Sequence, residues 1–221
     1  MKTAVITGAN RGIGLELVRA LKSQYRIVAV CRSSSSALQA EDVEIVDHVD
    51  VATRDGIARL ASQLSARSIE LLINNAGVMR PSDLTTIETD LDDWRLQYEV
   101  NALSPLRVTA ALIDRLTDGA KVVIITSRMG SIGDNTSGGA YAYRMSKAAV
   151  NSAAASLAQD LRPRNIAVGL LHPGYVRTDM TGGSGFVDAE ASAADLAQRI
   201  AELDPSTSGR FQHANGDILP W

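Results

Sequence analysis

The sequence predicts an α/β fold, a doubly wound parallel sheet of about seven strands with helices on both faces. Three observations carry this. Apolar runs rich in β-formers alternate with segments of helical period along all 221 residues. The best run, Val122-Val123-Ile124-Ile125, is unbroken, as expected of a strand covered by helices on both faces. The first run ends in a glycine cluster that opens straight into a helical pattern, and strand–helix–strand repeats of this kind imply parallel pairing with right-handed crossovers.

In chain order, strands are expected at 2–7, 26–31, 43–49, 69–74, 121–127 and 166–171. Helices are expected at 12–23, 54–66, 91–116, 140–161 and 189–203. Ser33 to Ser36 reads as a loop, and Gly138-Gly139 and Gly182 to Gly185 read as mobile loops. No linker divides the chain, so residues 1–221 are expected to form one domain, with a short substrate-loop region at about 179–190.

Composition narrows the function classes. Twenty-two Lys and Arg against 25 Asp and Glu leave a net charge of −3, which recommends neither nucleic acid nor an anionic membrane as a partner. The single Cys31 excludes an intrachain disulfide framework, and His48, His172 and His213 are too scattered to suggest a metal site. No run approaches the ~20 apolar residues of a membrane span. The expectation is a cytoplasmic protein acting on a small molecule.

The glycine cluster reads Thr7-Gly8-Ala9-Asn10-Arg11-Gly12-Ile13-Gly14. A diphosphate must approach backbone N–H groups at a helix N-terminus, and side chains there would block it. Gly12 and Gly14 remove those side chains and allow tight helix–strand packing, so the turn reads as the dinucleotide site of a Rossmann-type sheet, with Gly8, Asn10, Arg11 and Ile13 in it. At the end of the second strand, where an acid would hold the ribose hydroxyls of NAD, stands Arg32. A guanidinium there suits a 2′-phosphate, and Arg11 could add a second positive charge. The pattern favours NADP(H) over NAD(H).

Tyr143 and Lys147 stand at i and i+4 on one helix face, whereas the rival Tyr141 has Met145 at that position. A phenol near pKa 10 is a poor acid–base at neutral pH. An ammonium about 4 Å away at an effective dielectric of ~20 contributes on the order of 4 kcal/mol, roughly three pKa units toward neutrality. Taken singly, such a pair is an ordinary surface pair. The weight comes from Asn74-Asn75-Ala76-Gly77, Thr126-Ser127 and Pro173-Gly174, which all fall at the carboxyl edge of the predicted sheet, where ligands bind.

In this order, the glycine turn, Asp50-Val51, Asn74 to Gly77, Asn101, Ser127, Tyr143-x-x-x-Lys147 and Pro173-Gly174 with Thr178 resemble the short-chain dehydrogenase/reductase superfamily, in its shorter single-domain branch. Tyr141-Ala-Tyr-Arg-x-Ser-Lys147 and the final Asp217-Ile-Leu-Pro-Trp221 are similar to the C-factor and sniffer-type carbonyl reductases. The resemblance implies that Tyr143 is the general acid or base and that Lys147 lowers its pKa and holds the nicotinamide ribose. It implies that Ser127 bonds the substrate oxygen and that Asn101 supports a water relaying protons to Lys147. Asp50 and Val51 would contact adenine, Asn74, Ala76 and Gly77 would line the cofactor cleft, and Pro173, Gly174, Val176 and Thr178 would flank the nicotinamide.

Two departures stand out. Ser127 lies 16 positions before Tyr143, a wide gap, and Ser131 is a nearer rival; the residues around 135–139 would then be a loop insertion. The Gly-rich segment after Thr178 is brief, which suggests an open or small pocket. The expected activity is NADPH-dependent carbonyl reduction or alcohol oxidation without a metal. The alternative is a cofactor-binding signalling or sensor protein of the C-factor type. An epimerase or dehydratase of the longer branch conflicts with the glycine spacing. Small residues at Ala153 to Ala155 and the family's habit favour a homodimer or homotetramer.

Overall fold

The computed structural model describes residues 1–221. Its central sheet contains β1 (Lys2–Thr7), β2 (Tyr25–Val30), β3 (Glu44–Val46), β4 (Ile69–Asn74), β5 (Leu116–Ile125), β6 (Ala167–His172) and β9 (Phe211–His213). A separate two-stranded pair, β7 (Val176–Arg177) and β8 (Val187–Asp188), lies between the last two of these in sequence. The helices are α1 (Gly12–Leu21), α2 (Ser36–Gln39), α3 (Arg54–Gln63), α4 (Leu91–Tyr98), α5 (Ser104–Leu112), α6 (Tyr141–Leu161) and α7 (Ala189–Glu202). The seven strands run in the order β3-β2-β1-β4-β5-β6-β9, all parallel. No helix is long and apolar enough to cross a membrane.

Strand alternation sends side chains to two cores of similar size. Val5, Val28, Leu72, Val122, Ile124, Val168 and Leu170 join one, with Leu60 of α3, Val108 and Leu112 of α5 and Val150 and Ala154 of α6. Ala4, Ile6, Ala29, Leu71, Ile73, Val123 and Leu171 join the other, with Leu17 and Val18 of α1 and Leu196 and Ile200 of α7. Both faces are therefore covered, which explains the unbroken apolar runs. The chain order reverses between β1 and β4, and that switch point places a crevice at their carboxyl ends.

Three expectations need correction, and a seventh strand is added where no segment was expected. The helix expected over 91–116 is two: α4 and α5 are separated by a π turn at Glu99–Leu103, and a 3₁₀ turn at Ile113–Arg115 leads into β5. Pro105 is the reason, because it has no N–H for the carbonyl of Asn101 four residues back, and a wider turn accommodates its ring. β5 starts at Leu116 rather than 121, with a register shift against β4 between Ile69 and Leu71, and it ends before Thr126. The serine run is not all loop: Ser35 accepts from the N–H of Leu38 at 3.1 Å and caps α2. The seventh strand is β9, a three-residue segment without a β-rich run. Residues after it fold back on it, with an antiparallel bridge between Gln212 and Ile218 and a bond from Leu219 N–H to the Phe211 carbonyl at 2.9 Å.

Candidate active site

Four segments meet at the carboxyl edge of the sheet: the glycine turn after β1, Asn74 to Gly77 at and beyond the end of β4, Ser127 after β5, and Pro173-Gly174 after β6. The first two are stitched together. Thr7 Oγ1 accepts from the N–H groups of Asn75 and Ala76, both at 3.1 Å, and the Asn75 amide donates back to the carbonyls of Thr7 at 3.0 Å and Gly8 at 3.1 Å. Gly8 holds φ +66°, and a Cβ on it would lie 2.9 Å from the Ala76 Cα. A Cβ on Gly14 would lie 2.2 Å from the Gly8 carbonyl oxygen. These two glycines are demanded by packing. Gly12, at φ +53°, instead faces the Thr178 side chain, 3.5 Å from where its Cβ would be.

The first-turn amides of α1 meet no capping side chain, since Arg11 at the N-cap supplies none. Uncapped N–H donors beside a glycine with φ above zero form a cradle that a diphosphate fits. Around it, Asn10 donates to the Ser33 carbonyl at 3.0 Å, and its own carbonyl accepts from Ser35 Oγ at 2.6 Å, so the loop after β2 is fastened to the glycine turn. Arg32 on that loop is exposed and makes no ion pair. Arg11, expected to be a second free cation, instead pairs with Asp179 at 2.8 Å, with both side chains largely in solvent. Asp50 Oδ1 accepts from Ala52 N–H at 2.9 Å in the turn before α3, while Val51 is buried beside Ser104, whose hydroxyl donates to the Val51 carbonyl at 2.9 Å.

Tyr143 and Lys147 lie one turn apart on α6, both buried. The Lys147 ammonium donates to the Ile125 carbonyl at 3.0 Å and sits over the Tyr143 ring, 5.7 Å from its centroid. Here the expected electrostatics need correction. Burial pushes the phenol up to about 12, and interaction with the Ser127 hydroxyl only partly offsets it. Burial also brings Lys147 down to about 8. The ammonium stands over the ring face and points to a backbone carbonyl rather than to the phenol oxygen, so desolvation decides both groups. Tyr143 is the third residue of α6, where the helix dipole favours a negative charge by only about 0.3–1 kcal/mol.

Ser127 is buried and accepts from the Met129 N–H at 3.2 Å. Its rival Ser131 is engaged elsewhere: its hydroxyl donates to the Trp221 carbonyl at 3.1 Å and accepts from Asp134 N–H at 3.1 Å. That same Trp221 oxygen also takes the N–H groups of Ile132 at 3.1 Å and Gly133 at 2.8 Å. The loop expected to be mobile at 138–139 is pinned: Arg144 donates to the Gly138 and Gly139 carbonyls at 3.3 and 3.1 Å and to Ser137 Oγ at 2.8 Å. The 182–185 segment likewise bonds back to its own turn, with Gly183 N–H reaching the Thr178 carbonyl at 2.9 Å.

Asn101 lies in the π turn, fully buried. Its amide accepts from Val78 N–H at 2.9 Å and donates to the Val78 carbonyl at 2.8 Å and to Ser146 Oγ at 3.0 Å. Ser146 in turn donates to the Tyr143 carbonyl at 2.8 Å. Gly77 lies between Asn101 and Lys147, with its Cβ position 3.4 Å from Asn101 Oδ1 and 3.9 Å from Lys147 Nζ. Asn74 donates to Thr109 Oγ1 at 3.2 Å, and its buried Oδ1 has no partner. At the far side the Pro173 carbonyl accepts from Ser192 at 2.8 Å, Gly174 holds φ +93°, and Val176 is buried in β7. His172 and His213, far apart in sequence, meet edge to face at 4.9 Å, and burial with that neighbour keeps His172 neutral, its pKa down at about 3.

Sequence reasoning missed Asn75, Ser146, Arg144 and Ser82. Asn75, Arg144 and Ser146 sit inside the quoted motifs, but only their partners reveal what they hold. Ser82, in a loop with no motif, accepts from the Ala142 N–H of α6.

The chain is similar to several known proteins. The chain is 40% identical over 228 residues, covering 100% of both, to 1-hydroxy-2-glutathionyl-2-methyl-3-butene dehydrogenase of Rhodococcus sp. (strain AD45). It is 46% identical over 165 residues, 73% of this chain and 98% of the relative, to C-signal of Myxococcus xanthus. Among solved structures, the carbonyl reductase Sniffer of D. melanogaster superposes with a TM-score of 0.92 at 31% identity over 100% of each chain. An NADPH-bound carbonyl reductase from chicken fatty liver gives 0.89 at 29%, over 100% of this chain and 99% of that one. The family model described as short chain dehydrogenase matches residues 2–185, and the chain belongs to that family.

Proposed function

We propose that this protein is an NADP(H)-dependent oxidoreductase that interconverts a carbonyl and a secondary alcohol, with Tyr143 as the general acid or base. The observation that carries the reading is the convergence of Tyr143, Lys147 and Ser127, all buried, at the sheet edge that also holds the open glycine cradle. The cradle fits a dinucleotide diphosphate, and the exposed, unpaired Arg32 suits a 2′-phosphate. The NADPH carried by the avian carbonyl reductase supports the same cofactor.

When bound, the nicotinamide supplies or accepts the hydride at the substrate carbon. The chain's own residues handle the proton. A phenol held near 12 is protonated at neutral pH, so Tyr143 is set to donate to a carbonyl oxygen as that oxygen becomes an alkoxide. The Ser127 hydroxyl offers that oxygen a second hydrogen bond where its charge develops. Lys147 places a positive charge over the tyrosine ring and close to Gly77, and would donate to the hydroxyls of a bound nicotinamide ribose. Asn101 holds Val78 and Ser146 and so fixes the floor of the cleft and the turn carrying Tyr143. The Ser131 hydroxyl is bonded to Trp221, which leaves Ser127 as the serine beside the phenol.

The test is NADPH consumption over a panel of ketones, aldehydes and diketones, repeated with NADH and with Tyr143→Phe. The expected result is turnover that prefers NADPH and falls by about a thousandfold in the variant. Full turnover by Tyr143→Phe would remove the assignment. Tight NADPH binding with no turnover on any substrate would favour the sensor reading.

A further inference from the structure

We infer that Ser82 is a positioning residue for Tyr143, closing the N-terminus of the tyrosine's helix from another part of the fold. The inference rests on the role proposed for Tyr143.

A helix begins with N–H groups that have no partner within it, and a capping side chain ordinarily accepts from the second or third of them. α6 has no such side chain. Its N-cap is Ala140, at φ +46°, preceded by Gly138 and Gly139 at φ +63° and +65°. Three successive residues with positive φ bring the chain sharply into the helix without offering an acceptor. The acceptor comes from 60 residues away: Ala142 N–H, the second amide of α6, donates to Ser82 Oγ at 3.1 Å. Ser82 is 8% exposed and Ala142 4%, so water has little access to take its place. Tyr143 is the next residue. The bond therefore fixes the turn from which the phenol projects.

The loop that carries Ser82 is held from the other side. Val78 is bound through both its N–H and its carbonyl to Asn101, and Arg80 N–H donates at 3.1 Å to Gln97 Oε1, on a side chain that is fully buried. Trp94 of α4 stacks on Tyr141, the first residue of α6, at 6.2 Å and 8°. A chain of short contacts thus runs from Ala76 and Gly77, on the cofactor side, through Val78, Arg80 and Ser82 to the first turn of α6. The serine joins the floor of the cofactor cleft to the residue that moves the proton.

The experiment compares Ser82→Ala, Ser82→Cys and Ser82→Thr with Ser208→Ala. The last removes a bond of the same kind, Val168 N–H to Ser208 Oγ at 2.9 Å, far from the cleft. Ser82→Ala should lower kcat about tenfold, because an ångström of drift in a reacting group is enough to do so. KM for NADPH should stay within about twofold, since no cradle donor is touched. Ser82→Thr, which keeps the hydroxyl, should restore most of kcat. Ser82→Cys, near in size but a weak acceptor, should fall between and serves if the alanine variant does not fold. Ser208→Ala should lower Tm and leave kcat unchanged. Wild-type kcat in Ser82→Ala or Ser82→Cys, or a loss matched by Ser208→Ala, would overturn the inference. If Tyr143→Phe is inactive in the same assay, that failure leaves the tyrosine's role standing; if Tyr143→Phe is active, both fall.

Discussion

Two helices begin at the same edge of the sheet, α1 at Gly12 and α6 at Tyr141, and neither has a capping side chain of its own. They resolve their orphan amides in opposite ways. At α1 the first-turn donors stay open beside Gly12, whose missing side chain keeps the approach clear. At α6 a hydroxyl from a distant loop closes the end, and Ser82, Ala142 and Tyr143 are buried there. In the proposed function the first end receives an anion. In that same reading the second holds still a buried phenol, kept protonated by desolvation, that would donate to a substrate. The same backbone feature becomes a binding site or a rigid mount according to what stands in front of it.

The largest effect that could break this contrast lies at α1. Gly14→Ala would place a methyl 2.2 Å from the Gly8 carbonyl oxygen and 2.6 Å from Asn75 Nδ2, neither of which can retreat without opening the turn. NADPH affinity, followed by the rise in its fluorescence on binding, should weaken on the order of a thousandfold, about 4 kcal/mol. Unchanged affinity in a folded variant would mean that the cradle is not the binding site.

At α6 the contrast is sharpened by pH. Lys147 is held down at about 8 against its ordinary 10.5, so between those values the unfolded chain keeps a proton that the folded one has released. Folding stability therefore gains across that window as pH rises. The same stability, roughly 3 kcal/mol at most, is lost as pH falls back from 10.5 to about 8 and does not change further below that. Tyr143 acts in the other direction: above 10 the unfolded phenol ionises while the folded one keeps its proton up to about 12, and stability declines. Urea midpoints from pH 7 to 12 should rise and then fall, and Lys147→Met should remove the rise. A monotonic fall in the native protein would contradict the burial of the lysine.

The smallest expected effect separates the two ends of the cofactor. Arg32→Ala should reduce the preference for NADPH over NADH by roughly tenfold, about 1.4 kcal/mol, in the ratio of kcat/KM values, with NADH kinetics little altered. An unchanged ratio would transfer the 2′-phosphate to Arg11, which would then have to leave Asp179.

What was legible in the sequence was local. The bounds of β1 and β4 match expectation, and so does the start of α1, because each is a contiguous run bounded by its own turn signals. The glycine turn could be read because its glycines are adjacent in sequence, although two of them, Gly8 and Gly14, prove to be required by packing. β9 was not legible because Phe-Gln-His carries no periodicity and is a strand only through its register on β6. The split of the long helix was signalled by Pro105, but its wide form depends on the neighbouring turns. The spacing of Tyr143 and Lys147 reported their nearness and could not report their burial, and burial reversed the direction of the phenol's pKa. Asn75, Ser82 and Ser146 act on partners reached through the fold, 67 and 68 positions away for the first and 60 for the second. Ser146 reaches 45 positions back to Asn101.

The sheet's two margins, β3 and β9, are each only three residues long. An open margin offers unpaired N–H and carbonyl groups to any passing extended chain and so invites aggregation. On the β9 side the invitation is withdrawn by the fold itself. Residues 217–219 lie antiparallel along the strand, taking up the Phe211 carbonyl and the His213 N–H, before Trp221 bonds the turn that follows Ser127. A single short segment thus guards solubility at one end and steadies the serine turn at the other, so a lesion there would reach both properties together.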